Sequence, residues 1–74
     1  GSILINAKMR WSEFNKKHGN LIPKGNYETI AGYIVSDLGR IPIAGEHLFM
    51  KIGQVVIKKA SSRYIEKVLI YPEK

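Results

Sequence analysis

The clearest pattern in the chain is an apolar stripe at helical spacing between residues 27 and 38. Its members recur at intervals of three and four: Tyr27, Ile30, Ala31, Ile34, Val35 and Leu38. Asn26 is placed to cap the start of a helix, and Glu28 puts negative charge in its first turn. Gly39 can then end the helix in a left-handed conformation. The pattern therefore predicts an amphipathic helix over residues 27–38, with Pro42 beyond its end.

A weaker helical stripe precedes this one. From about Met9, apolar and aromatic residues recur on one face, namely Trp11, Phe14 and His18. We expect this helix to begin without a good cap and to end at Gly19 or Asn20. In the loop that follows, Leu21 and Ile22 are expected to anchor the chain against the core. Gly32, inside the second helix, costs about 1 kcal/mol relative to alanine, so we expect another backbone segment to pass close to it.

After Pro42 the pattern changes from helical to extended. Three β-branched or aromatic segments are separated by turn signals, and we predict strands at His47–Lys51, Gln54–Lys59 and Tyr64–Tyr71. Strand alternation predicts two inward sets: Val55 with Ile57, and Ile65 with Leu69 and Tyr71. The predicted fold class is α+β, with two helices packed on a small, mainly antiparallel sheet whose C-terminal part is a three-stranded meander. Residues Ile3–Ala7 are apolar enough to add a strand.

Composition limits the chain to one small domain over residues 1–74. It contains no cysteine, so disulfides and thiolate metal sites are excluded and stability must come from packing. No apolar run is long enough for a membrane-spanning helix, and we expect the fragment to be soluble. The chain begins Gly1-Ser2 without a methionine. We expect it to be excised from a longer protein, with Gly1-Ser2 either a cloning remnant or native sequence.

The net charge of +6 is concentrated near the start of the chain. Four cations, Lys8, Arg10, Lys16 and Lys17, define a candidate docking face that could meet nucleic acid, an anionic lipid surface or an acidic partner domain. The exposed face and edge of the predicted sheet are the alternative docking surface. Nucleic-acid binding would also require exposed aromatic side chains for stacking. We expect the aromatics to serve the core instead, namely Trp11, Phe14, Tyr27 and Phe49, and this disfavours nucleic acid.

The chain offers little catalytic chemistry. Its two histidines, His18 and His47, have no cysteine or carboxylate at ligand spacing, so we predict no metal site. Glu28 and Asp37 lie a half turn out of phase on the predicted helix and cannot act as paired acids. The serines lack a nucleophile elbow, and the glycines match no phosphate-binding motif. We predict no catalytic residues and no enzymatic activity.

Several segments nevertheless carry a family resemblance that spans nearly the whole chain. These are residues 27–34 (YETIAGYI), Leu38-Gly39-Arg40-Ile41-Pro42, Gly45 and residues 63–68 (RYIEKV). They resemble the transporter-associated domain of the CorC/HlyC type. In contrast to that pattern, the hairpin at residues 60–63 keeps only its final arginine, and Val55 stands where the family often has phenylalanine. Asn6 and Asn15 match polar family positions, and we interpret both as turn or capping residues.

The resemblance implies a function. Domains of this type lie at the cytoplasmic C-terminus of bacterial inner-membrane proteins, after a transmembrane domain and a pair of CBS domains. Some of these proteins are linked to magnesium and cobalt efflux and others are haemolysin-like. The resemblance implies a non-catalytic regulatory domain whose partners are the CBS and transmembrane domains of the same chain. Its further partners would be an anionic membrane surface and a second copy, through a homodimer of the parent protein.

The resemblance also leaves one ligand hypothesis open. The implied fold is related to one layer of flavin-binding domains, so FAD or another adenine nucleotide is kept as an alternative to a domain without a cofactor. The candidate contacts are Tyr33, as a stacking surface, and the basic residues Arg40 and Arg63 near turns. Structural roles for these three residues are the competing interpretation.

Overall fold

The computed structural model describes residues 1–72, in which two helices cover one face of an antiparallel sheet. The elements, in chain order, are β1 (Ile3–Asn6), α1 (Trp11–His18), α2 (Ile30–Leu38), β2 (His47–Met50), β3 (Gly53–Ala60) and β4 (Ile65–Pro72). The strand order is β1-β4-β3-β2, and every neighbouring pair is antiparallel. The predicted α+β fold is confirmed, including the strand added at the N-terminus. Neither helix in residues 1–72 has the length and apolar character needed to cross a membrane.

The core lies between the helical layer and the inner face of the sheet. Phe14 is the buried residue of α1, and α2 contributes Ile30, Tyr33 and Ile34. The sheet supplies alternate residues of each strand, including Ile5, Leu48, Val55, Ile57, Val68 and Ile70. No buried side chain within the described residues is polar or charged. Burial of apolar surface is therefore the main contribution to the stability of this core.

The prediction for the inward residues of β4 is wrong. Ile65 is buried as expected, but its inward companions are Val68 and Ile70, while Tyr71 is 43% exposed. The pairing of β3 with β4 shifts on either side of Lys59, where the ladder is irregular. An extra residue in a ladder reverses the alternation beyond it, because successive side chains point to opposite faces. A strict two-residue period counted from Ile65 therefore assigns Leu69 and Tyr71 to the core in place of Val68 and Ile70.

The start of α2 also differs from the prediction. Its N-cap is Thr29, whose hydroxyl accepts a hydrogen bond from the Gly32 N–H at 3.0 Å, so Asn26 is not the cap and Glu28 precedes the first turn. The two N–H groups before Gly32 find partners outside the helix. Ile30 N–H donates to the Met9 carbonyl and Ala31 N–H donates to the Ala7 carbonyl. A helix leaves its first four N–H groups without partners inside itself. The segment that follows β1 satisfies the first two of these groups and so helps to fix where α2 begins.

Two glycines of α2 were singled out from the sequence, Gly39 at its end and Gly32 in its interior. Gly39 adopts the left-handed conformation, φ +78°, and its N–H donates to the Val35 carbonyl at 2.8 Å, as predicted. A side chain at Gly32 would place its Cβ 3.1 Å from Tyr27 Cβ and 3.9 Å from Tyr27 Cα. The close segment is thus the chain that enters α2 itself.

The loop after α1 is fixed by a pair of hydrogen bonds from one side chain. Asn15 donates to the Ile22 carbonyl at 2.8 Å and accepts from the Ile22 N–H at 3.0 Å. Ile22 is buried and Leu21 packs against the core, as predicted. Asn6 accepts the Lys8 N–H at 2.9 Å in the turn after β1. Both asparagines therefore have structural roles.

Candidate functional site

The three candidate ligand residues lie on three different segments. Tyr33 is in α2 and only 5% exposed, Arg40 follows the end of α2, and Arg63 lies in the turn between β3 and β4. Tyr33 borders a depression of about 160 Å³, together with Pro23, Tyr27, Ser36, Asp37 and Lys51. Neither arginine lines that depression.

Each of the three residues also has local partners. Burial, followed by the nearby carboxylate of Asp37, raises the pKa of the Tyr33 hydroxyl and keeps it neutral. The Tyr33 ring packs 5.3 Å from the Tyr27 ring, centroid to centroid. In the turn, the Ser61 hydroxyl accepts the N–H groups of Arg63 and Tyr64 at 3.2 Å. These contacts give Tyr33 and the Arg63 backbone structural roles, and the adenine-nucleotide site stays a prediction.

Arg40 is held in an ion pair by the loop between α2 and β2. Its guanidinium donates to both carboxylate oxygens of Glu46, one of them at 3.0 Å, and the Ile43 N–H donates to the same carboxylate at 3.1 Å. The hydrogen bond from Arg40, and next the one from the Ile43 N–H, lower the pKa of Glu46. Glu46 also aligns the loop with the sheet, because its carbonyl accepts the Ile57 N–H at 2.9 Å. Arg40 therefore closes a loop in this structure.

The candidate docking face is exposed as predicted. The side chains of Lys8, Arg10, Lys16 and Lys17 all lie at the surface on or before α1. Within residues 1–72 the ion pairs are Arg40–Glu46 and Lys59–Glu66, so these four cations have no carboxylate partner there. Lys8 lies over the Tyr64 ring, with Nζ 5.0 Å from its centroid. This face offers unpaired positive charge on the helical layer.

Within residues 1–72, His18, His47, Glu28 and Asp37 lie on four different segments. His18 packs against Phe14 with ring centroids 4.7 Å apart, and His47 lies at the surface with Nδ1 3.0 Å from the Gln54 amide. Glu28 precedes α2 and Asp37 lies in its last turn. The prediction that both acids lie on one helix is therefore wrong. Within residues 1–72, no group of three or more His, Cys, Asp or Glu could hold a metal ion.

The structure shows which residues form the exposed face of the sheet, and it corrects the placement of Phe49. Phe49, which was assigned to the core, is 85% exposed, and it lies on the side of the sheet that faces away from the helices. Its strand neighbours Leu48 and Met50 point inward instead. We call the outward apolar residues the outer apolar face: Leu4, Phe49, Val56, Leu69 and Tyr71. The signal was available, because alternation forbids Phe49 from sharing a face with Leu48 and Met50.

Comparison with solved structures gives the same fold across the whole chain. A protein of unknown function from Haemophilus influenzae Rd KW20 aligns with a TM-score of 0.89 at 19% identity, covering 99% of this chain and 90% of that one. The putative Mg2+ and Co2+ transporter (CorC) associated region from Neisseria meningitidis MC58 aligns with a TM-score of 0.86 at 21% identity, covering 97% and 89%.

A third structure has a higher sequence identity. It is the transporter associated domain CorC_HlyC of a Xylella fastidiosa Temecula1 hemolysin, in complex with Mg++ and Mn++. It aligns with a TM-score of 0.79 at 30% identity, covering 100% of this chain and 90% of that chain. No curated protein matches the sequence.

The family comparison covers every residue. The model of the transporter associated domain, CorC_HlyC, matches residues 1–74. This family is associated with CorC-type magnesium and cobalt transporter proteins and with hemolysins, in agreement with two of the structures above. The chain therefore belongs to the CorC_HlyC family of transporter associated domains.

Proposed function

We propose that this chain is a non-catalytic regulatory module of a bacterial ion-transport protein. The module would lie on the cytoplasmic side of the inner membrane and act by docking onto neighbouring domains of its parent, with a CBS pair as the expected partner. Membership of the CorC_HlyC family supports the link to transport. The transported ion would be Mg2+ or Co2+, because the name of the Neisseria relative points to those ions.

The observation that carries the docking mechanism is the set of exposed cations on and before α1 that have no ion pair within residues 1–72. Lys16 and Lys17 lie in the last turn of α1, where positive charge is also favoured by the helix dipole. Their exposed ammonium groups are available to an acidic surface at little desolvation cost. Docking that is stronger in one transport state than in another would shift the equilibrium between the states by that difference in binding free energy.

The test is ion flux through the full-length parent protein. Deletion of the module should change the flux or its dependence on a cytosolic ligand. The double variant Lys16→Glu/Lys17→Glu should reproduce part of that change, most clearly at low ionic strength, where charge interactions are least screened. Lys24→Glu/Lys51→Glu changes the net charge equally outside α1 and serves as the matched control. Unchanged flux and unchanged ligand dependence after deletion would rule out regulation.

A further inference from the structure

We propose that the outer apolar face is a second contact surface, and that it binds an acidic amphipathic helix of a partner domain. The inference rests on the proposed function only in that the module acts by docking. It concerns the side of the sheet opposite the helical layer, so it is independent of the cations on α1.

Apolar side chains form rows across the strands on the outer apolar face. The register places Leu4 opposite Leu69 and Leu69 opposite Val56, which forms one apolar row across β1, β4 and β3. In the next row, Gln54 lies between Tyr71 and Phe49. Contiguous apolar surface that remains exposed on a small soluble protein is typical of an interaction site. Aromatic residues such as Tyr are enriched among the anchors of binding energy at interfaces.

The shape of the outer apolar face favours a helix over a flat bilayer surface. Exposure is greatest on the edge strands, 60% for Leu4 and 85% for Phe49, and falls to 8% for Val56 on a central strand. At one end, a depression of about 410 Å³ is lined by Phe49, Met50, Gly53, Gln54 and Tyr71. Four strands span about 15 Å, which accommodates one helix of about 10 Å diameter. The depression at the Phe49 end thus offers a concave surface that suits one convex apolar stripe.

Positive charge borders the outer apolar face at one end. Lys58 and Lys67 lie at the end of the apolar rows nearer the β3–β4 turn, and both are exposed. Glu66 is the only acidic residue in the four strands as described, and its carboxylate is paired with Lys59 at 3.8 Å. A partner helix with carboxylates beside its apolar stripe would complement this border. A second copy of the chain would instead bring like charges together, since each carries a net charge of +6.

Photo-crosslinking in the full-length parent tests this inference. With p-benzoylphenylalanine in place of Phe49, we expect cross-links to a helix that has an apolar stripe flanked by Asp or Glu. The same probe in place of Ile43, which is 71% exposed but outside the outer apolar face, should not reach that helix. Cross-links from position 49 to lipid, to the outer apolar face of a second copy, or to no protein segment would overturn the proposal.

A binding measurement then tests the contacts. A synthetic peptide of the cross-linked helix is titrated into the 74-residue chain while amide chemical shifts are followed. Phe49→Ala and Tyr71→Ala should each weaken binding by about tenfold or more. Lys67→Glu should weaken it by about three- to tenfold, with a loss that shrinks in high salt. Ile43→Ala should stay within about twofold. Equal effects of Phe49→Ala and Ile43→Ala would contradict the proposal.

The two proposals can fail separately. If module deletion leaves flux unchanged while position 49 still cross-links to an acidic helix, the contact exists without regulation. If deletion changes flux but position 49 cross-links elsewhere, regulation stands and the outer apolar face has a different role.

Discussion

The inner and outer faces of the sheet are built from the same four strands but differ in what covers them. On the inner face, Val55, Ile57, Val68 and Ile70 are fully buried beneath the two helices. On the outer face, Phe49 and Leu4 stay largely exposed with no element of residues 1–72 over them. Burial of the inner face stabilises the fold, whereas the outer face keeps apolar surface that folding has not used. That unused surface is available for association.

The two phenylalanines of the chain give the largest and most direct test of this difference. The Phe14 side chain, on the inner side of α1, is 0% exposed, so Phe14→Ala should lower the free energy of unfolding by about 3–5 kcal/mol. Phe49→Ala should change it by no more than about 0.5 kcal/mol, because little surface is buried there. Urea denaturation monitored by Trp11 fluorescence measures both. A similar loss in the two variants would mean that the outer apolar face is covered in the free chain.

A second test concerns the loop after α1, which holds Ile22 in the core on the inner face of the sheet. Asn15→Ala removes both hydrogen bonds to the Ile22 backbone, so the Ile22 N–H and C=O lose these partners. We expect a loss of about 1–3 kcal/mol in the free energy of unfolding, with faster amide exchange at Ile22. Asn20→Ala, at an exposed position of the same loop, is the matched control and should be near neutral. Equal behaviour of the two variants would show that the Asn15 bonds add no net stability.

A smaller effect is expected at the start of α2. Thr29→Ala leaves the Gly32 N–H without its hydroxyl acceptor and should cost about 1 kcal/mol. Thr29→Ser keeps the acceptor and should recover most of that loss. Thermal unfolding of the three proteins provides the ranking. If the serine variant is no more stable than the alanine variant, the cap does not contribute as the geometry indicates.

The smallest effect is expected at the loop that joins the helical layer to β2. The pKa of Glu46 is lowered by Arg40 and by the Ile43 N–H, so the ionised carboxylate favours the folded state. This contribution is complete above the ordinary pKa of glutamate and is lost as the pH falls through the lowered pKa. Solvent screening keeps it small. Glu46→Gln should therefore flatten the acid side of the stability profile. An NMR titration showing an ordinary pKa for Glu46 would contradict this.

Local signals in the sequence correctly identified several parts of the molecule. The glycine that ends α2, the buried Ile22 and an N-terminal strand were all predicted, because each depends on residues close in sequence or on burial of an apolar segment. The strand was predicted at Ile3–Ala7 and is observed at Ile3–Asn6. The resemblance to CorC/HlyC domains likewise depends on short motifs in the amino-acid sequence. The same signals placed Lys16 and Lys17 at the surface.

The sequence by itself determined the fold class, the family and the basic helix, because periodicity, turn residues and charge are properties of neighbouring positions. Only the tertiary structure decided the start of α2, where backbone from Ala7 and Met9 accepts its first N–H groups. It also decided which side of β4 is buried, through an irregular ladder near Lys59. The helices also cover the side of β2 that carries Leu48 and Met50, and this leaves Phe49 exposed on the other side. These outcomes depend on contacts between segments distant in sequence.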